Sequence, residues 1–221
     1  MCTSFLRQWV KGAVAFGIQD TILDPNTWKS ELVKQAFPIS IADRVMHLIE
    51  DSQRLLSILE RQQKTLCHND CDQSNLFSWP DVSGVSRTTV IDWALLGIGA
   101  VGEDLGTQIG GNLFHLFVDP SRSELYKNLA VEAYLDGLNE SGWQGNKNSI
   151  RFACYTTASI RYTTYAAYML KFLTNRSEDR QNPLMRLSPR TSLQETICCW
   201  GEVIYYLLQW SDDARRLAYL V

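Results

Sequence analysis

Residues 65–79 read Thr65-Leu66-Cys67-His68-Asn69-Asp70-Cys71-Asp72-Gln73-Ser74-Asn75-Leu76-Phe77-Ser78-Trp79. A short β-like run, Thr65 to Cys67, leads into a polar loop dense in functional groups. A second β-like run begins at Leu76. Pro80 to Gly84 is turn chemistry. Arg87-Thr88-Thr89-Val90-Ile91 is β-branched and predicts the returning strand, which ends in Asp92-Trp93. Residues 65–93 are therefore expected to form a β-insert of strand, loop, hairpin and acidic end.

That order of residues suits a particular chemistry. Asp92 is expected at the end of a buried strand, which would hold its carboxylate rigidly. Asn75 closes the loop and begins the paired strand, so the hairpin brings the two together. A carboxylate and an amide oxygen are hard ligands that suit Mg²⁺ with its waters and phosphate oxygens. Asp70 projects from the same loop, where an aspartate can orient an attacking hydroxyl and accept its proton. Phosphoryl transfer asks for these parts and little covalent chemistry.

Outward from the insert the chain reads as helix. Asp24-Pro25 is expected to start the first helix, which runs to about Ala36 and stops before Pro38. Apolar residues at Ile41, Val45, Leu48, Ile49, Leu56 and Leu59 predict an amphipathic helix over 41–63. Gly97, Gly99 and Gly102 suggest an irregular segment. Helices are then expected over 103–117, 122–140, 147–173, 191–209 and 212–220. Ser121-x-x-Glu124 and Ser192-x-x-Glu195 read as capping boxes. Asn175 to Pro189 reads as a charged loop. The expected class is α+β, mainly α, in one domain spanning 1–221.

Composition bounds the remaining classes. Hydrophobic residues make up 45% of the 221, too many for a disordered chain. A net charge of −3 offers no basic excess to neutralise phosphates, so no nucleic-acid partner is expected. The N-terminal stretch lacks the apolar run of a signal peptide, since Arg7, Gln8 and Lys11 interrupt it. Ile150 to Leu173 is the richest apolar stretch, but Arg151, Arg161 and Lys171 mark it as a buried helix and not a membrane span. The six cysteines form no CxxC pair and no zinc-spaced quartet. Reduced thiols and a cytoplasmic location are expected.

His68-x-Asp70-x4-Asn75, followed by Ile91-Asp92-Trp93 and then Asp104-Leu105, resembles the aminoglycoside phosphotransferase and choline-kinase-like group of the protein-kinase-like superfamily. The resemblance covers the C-terminal lobe, with sharp motifs only in 66–106. It implies that Asp70 is the catalytic aspartate and that His68 supports the catalytic loop. Asn75 and Asp92 become the metal ligands for Mg²⁺. Phe77 takes the apolar position under the adenine of ATP, or the base of GTP. Asp104 resembles a buried aspartate that braces the loop from the following helix. Asn69 departs from the family's usual glycine, and Asn is among the residues that best tolerate positive φ.

The same resemblance implies a β-insert over 65–93 and a helical substrate subdomain over 103–221. It also implies an N-terminal lobe with a glycine-rich loop, a strand lysine and a helix glutamate. Gly12 and Gly17 do not form that loop, and Lys11, Lys29 and Lys34 are not in the expected strand context. The nucleotide-clamping lobe is thus expected to be absent, leaving an apolar face that includes Phe77, with Trp9 or Phe16 beside it, and promotes self-association. The expected activity is ATP- and Mg²⁺-dependent transfer of a phosphoryl group to a hydroxyl of a small molecule. The alternative is a kinase-like lobe that binds without turnover, and a weaker third reading is metal-dependent hydrolysis by the Asp cluster. A polycationic aminoglycoside would need an acidic pocket, for which Glu178, Asp179, Glu195, Glu202, Asp212 and Asp213 are available.

Overall fold

A computed structural model describes residues 5–37, 40–175 and 192–221. The first two helices lie where the sequence suggested none. They are α1 (Phe5–Ala15) and α2 (Ile18–Leu23), parted by Gly17 in the left-handed region at φ 75°. Each buries a short apolar stripe, Leu6 with Val10 and Ile18 with Ile22. The helix expected from Asp24-Pro25 is broken: a 3₁₀ turn, Thr27–Lys29, precedes α3 (Glu31–Ala36). The Asp24 carboxylate accepts from the Asn26 amide at 2.8 Å, which makes a turn instead of a helix start.

Helix α4 (Ser40–Leu59) follows the expected stripe, with Ile41, Val45, Leu48, Ile49, Leu56 and Leu59 all buried. The chain then enters β1 (Lys64–Cys67), the loop, β2 (Leu76–Pro80), β3 (Ser86–Val90) and β4 (Gly97–Ala100). Strands β2 and β3 form the expected hairpin, with Leu76 opposite Val90 and Phe77 opposite Thr89. The segment expected to be irregular is strand β4, which pairs antiparallel with β1 through Leu66–Ile98 and Cys67–Gly97. Its glycines answer to close approach: a Cβ on Gly99 would stand 2.7 Å from the Cys67 sulfur. The segment from Lys64 to Ala100 thus contains two two-stranded sheets, the one with β1 completed by β4 beyond the expected insert.

Helices α5 (Glu103–Phe114), α6 (Ser123–Glu140), α7 (Lys147–Asn175) and α8 (Leu193–Leu217) complete the described fold. One helix, α8, covers the two expected over 191–209 and 212–220. Ser192 caps it, accepting from the Glu195 amide at 3.2 Å. Ser121 does not cap α6. It donates to Asp119, which caps a 3₁₀ turn, Pro120–Arg122. The loop expected over Asn175 to Pro189 lies, beyond Asn175, outside the described residues. The class is α+β and mainly helical.

Buried residues of α1, α2, α4, α5, α7 and α8 share one core. Trp200 of α8 stacks on Phe114 of α5 at 5.3 Å and donates to its carbonyl at 2.9 Å. Helices α5 and α7 lie close because α5 is glycine-rich on the shared side. A Cβ on Gly106 would stand 2.4 Å from the Cys154 carbonyl oxygen, and one on Gly110 would stand 2.3 Å from the Tyr162 ring. This contact carries α7 past the polar loop, so both helices present side chains to it. No described helix is long and apolar enough to cross a membrane.

Candidate functional site

The loop between β1 and β2 is held first by its backbone. Asp104, in the first turn of α5, accepts from the His68 amide at 2.7 Å and from the Asn69 amide at 2.8 Å. A carboxylate gripping two successive N–H groups fixes the turn between them. Asn69 adopts φ 63° there, a left-handed conformation that asparagine tolerates. Its side-chain amide donates to the Leu95 carbonyl at 2.9 Å, so this asparagine ties the loop to the segment before β4.

His68 is buried and has both ring nitrogens engaged. The Asp70 amide donates to Nδ1 at 3.2 Å, so Nε2 carries the proton and donates to the Ile91 carbonyl at 2.7 Å. One imidazole therefore links the Asp70 backbone to the residue preceding Asp92. Its ring also meets Trp93 edge-on at 4.7 Å. This histidine has no nitrogen left to act as a base.

Asp70 and Asn75 face each other across the loop. The Asn75 amide nitrogen donates to the Asp70 carbonyl at 2.8 Å and to Asp70 Oδ2 at 3.2 Å. Its Oδ1 has no hydrogen-bond donor among the described residues. The Ile91 amide donates to the Asn75 carbonyl at 3.1 Å, which sets the end of β3 against the end of the loop. Asp72 accepts from the Ser74 amide at 2.8 Å and caps the 3₁₀ turn Gln73–Asn75. It also stands 3.6 Å from His115 Nε2, whose imidazole is pushed below its usual value, chiefly by burial.

Asp92 departs from expectation. Strand β3 is exposed along most of its length, and Asp92 is exposed too. Its β-branched residues suit a pleated ribbon and do not imply burial. What orients Asp92 is local: φ 57° and an acceptor contact from the Ala94 amide at 3.4 Å, which starts the 3₁₀ turn Trp93–Leu95. Among the described residues no three His, Cys, Asp or Glu side chains gather as a metal cage. Asn75 Oδ1 and the Asp92 carboxylate are hard oxygen donors on segments joined through the Ile91–Asn75 backbone bond.

Phe77 is 51% exposed, and Trp79, Ile91, Trp93, Leu66 and Ile98 are exposed beside it or on the β1–β4 sheet. Phe16 is exposed as well. Trp9 is not: it is half-buried, donating to Thr164 Oγ1 at 3.0 Å and packing on Tyr165.

Two supporting residues escaped the sequence reading. Arg161 of α7 reaches the loop, donating to the Asn69 carbonyl and, at 3.2 Å, to Asp70 Oδ1. Its signal was a cation, one of three with Arg151 and Lys171 in the stretch Ile150 to Leu173, expected as a buried helix, where a charge must have a partner. Asn112 of α5 accepts from the Gln73 amide at 2.9 Å and donates to the Tyr126 hydroxyl at 2.7 Å. No local pattern marked it. In the same helix Glu103 is buried and accepts from the Ala100 amide, and burial raises its carboxyl above the usual range.

The acidic residues available for a polycationic acceptor are in part already spent. Asp212 pairs with Arg44 and Arg215, and Asp213 with Arg216. Glu195 lies in the first turn of α8, Glu202 is exposed on the same helix, and Glu178 and Asp179 fall outside the described residues. The five described cysteines are free, and Cys2 is not among them. Burial pushes the Cys67 thiol up to about 12 and Cys71 to about 11, so neither is poised as a nucleophile.

Comparison with protein-family models, with curated proteins and with solved structures gives no match.

Proposed function

We propose that this chain carries the hydroxyl-orienting and metal-holding part of a small-molecule kinase with a protein-kinase-like C-terminal lobe. Magnesium and ATP, or GTP, are its cofactors. The observation that supports this reading best is the shared scaffold of Asp70, Asn75 and Asp92. His68 and the Ile91–Asn75 backbone bond tie the end of β3 to the loop that carries the other two.

Asn75 Oδ1 and the Asp92 carboxylate fit Mg²⁺, which takes few protein ligands and keeps waters and phosphate oxygens. Bound there, the ion supplies charge neutralisation to the transferring phosphoryl group. Asp70 accepts the hydrogen bond of the acceptor hydroxyl and aims its oxygen at the γ-phosphorus. As the new O–P bond forms and the β–γ bridge bond breaks, the hydroxyl proton passes to Asp70. Asp104 and His68 hold the loop, and neither meets the substrate. Phe77 offers an exposed apolar surface to the base. The exposed residues around it are the face through which we propose self-association. A monomer at every concentration in light scattering would contradict that.

The test is transfer of labelled γ-phosphate from ATP to a panel of aminoglycosides, amino alcohols, sugars and hydroxy amino acids. Transfer that needs Mg²⁺ and is lost in Asp70→Asn supports the proposal. Transfer unchanged by Asp70→Asn refutes it. If nothing is phosphorylated but Mg²⁺-dependent nucleotide binding persists, the chain is a binding module.

A further inference from the structure

We propose that Arg161 is a positioning residue for Asp70, and that it makes the catalytic loop sensitive to the seating of α1. This rests on the reading of Asp70 as the hydroxyl-orienting group. Arg161 is 6% exposed, and an arginine stays charged even when buried. Such a charge is costly to bury unless its donors and its faces are engaged.

Both are engaged here. One terminal nitrogen donates to the Asn69 carbonyl and the other to Asp70 Oδ1, so a single planar group spans backbone and side chain of adjacent loop residues. The guanidinium carbon lies 5.2 Å from the ring centre of Phe5, 5.1 Å from Trp9 and 5.4 Å from Tyr162. These are cation–π distances. Tyr162 is fixed in turn by donating to the Thr107 carbonyl of α5 at 3.0 Å.

The geometry leaves Asp70 with two separate restraints. Asn75 holds Oδ2 from within the loop, and Arg161 holds Oδ1 from α7. Losing the first would disturb a proposed metal ligand as well. Losing the second leaves the carboxylate held on one oxygen only, while Asn75 and Asp92 keep their own contacts. Two of the three rings that box the guanidinium, Phe5 and Trp9, belong to α1. Arg7 anchors that helix to the end of α4, paired with Glu60 at 2.7 Å. A shift of α1 would therefore reach Asp70 through one rigid group.

The test compares Arg161→Met and Arg161→Lys with the wild-type chain in Mg²⁺–ATP turnover, with thermal unfolding as the control for folding. A misplaced reacting group loses about 100-fold. The expected result is a kcat down by about that factor in Arg161→Met, with the KM for ATP within about twofold. Lysine, a point charge that cannot bridge both acceptors, should recover only part of the rate. If Arg161→Met does not fold, Arg161→Lys decides alone, by a reduced kcat at unchanged KM. Wild-type kcat in a folded variant overturns the proposal, and so does a parallel loss of ATP affinity.

If the wild-type chain shows no turnover, the kinase reading fails first. Hydrogen exchange at the Asn69 and Asp70 amides then judges Arg161 separately. Faster exchange there, with α5 unchanged, keeps its hold on the loop. Unchanged exchange removes it.

Discussion

Replacing Asp104 with alanine should strike the loop harder than any other single change to its support. The carboxylate accepts two backbone N–H groups, from His68 at 2.7 Å and Asn69 at 2.8 Å. Hydrogen bonds to a charged acceptor contribute about 1.5–3 kcal/mol each. Two that share one acceptor group are not independent, and water can reach part of the vacated space. The expected loss is therefore about 3 kcal/mol, at the lower end of the sum. That is a large share of the roughly 5–15 kcal/mol that stabilises a typical domain. With a urea slope near the upper end of about 1–3 kcal/mol per molar, the midpoint should fall by about 1 M. Asp104→Asn keeps one acceptor oxygen but turns an amide donor toward a second N–H, so it should lose nearly as much. The assay is equilibrium urea unfolding followed by circular dichroism. A midpoint for Asp104→Ala within about 0.2 M of wild type, at an unchanged slope, would mean that the loop is held by something else.

Gly106→Ala should lower stability although alanine is the better helix former, because its Cβ would meet the Cys154 carbonyl oxygen at 2.4 Å. Overpacking of this kind costs about 1–3 kcal/mol, which outweighs a helix-propensity gain of about 1 kcal/mol. Calorimetry should find a Tm lower by several degrees, and an unchanged or higher Tm would contradict the close α5–α7 contact. Glu103→Gln tests the buried carboxyl. Burial raises its folded pKa, so the associated stability is complete below the unfolded value and is lost as pH rises through the folded one. The variant should lose less stability than wild type between mildly acid and neutral pH in urea titrations. Equal pH slopes would contradict it.

The parts of the fold that were legible in the sequence are those whose cause is local. The apolar stripe of α4 recurs at helical spacing, and the polar run from His68 to Asn75 marks a loop between two strands whatever surrounds it. Strand β4 was illegible because Gly99 responds to Cys67 and Glu103 and Gly97 to Asn69, and sequence displays the glycine without the neighbour. Helix α1 hides because only Leu6 and Val10 of its residues are buried, too short a stripe to stand out. Asp92 does not end a buried strand, because β-branched residues mark a strand without saying how deeply it lies, and β3 is an exposed ribbon. Asp104 came from the resemblance and not from spacing. Arg161 could be flagged as a buried cation in need of a partner, but that partner lies far away in the chain, and only the packing of α7 against the loop reveals it.

The measurement that bears most directly on the central claim is calorimetric titration of ATP into the chain with Mg²⁺ and with EDTA. The wild-type chain should bind ATP only with Mg²⁺. Asn75→Ala and Asp92→Ala should each abolish that Mg²⁺-dependent binding, while Asp70→Asn, which removes a group outside the proposed metal shell, retains it. Absence of Mg²⁺-dependent binding in the wild-type chain, or binding that survives loss of both Asn75 and Asp92, would contradict the assignment of this loop as a magnesium–nucleotide site.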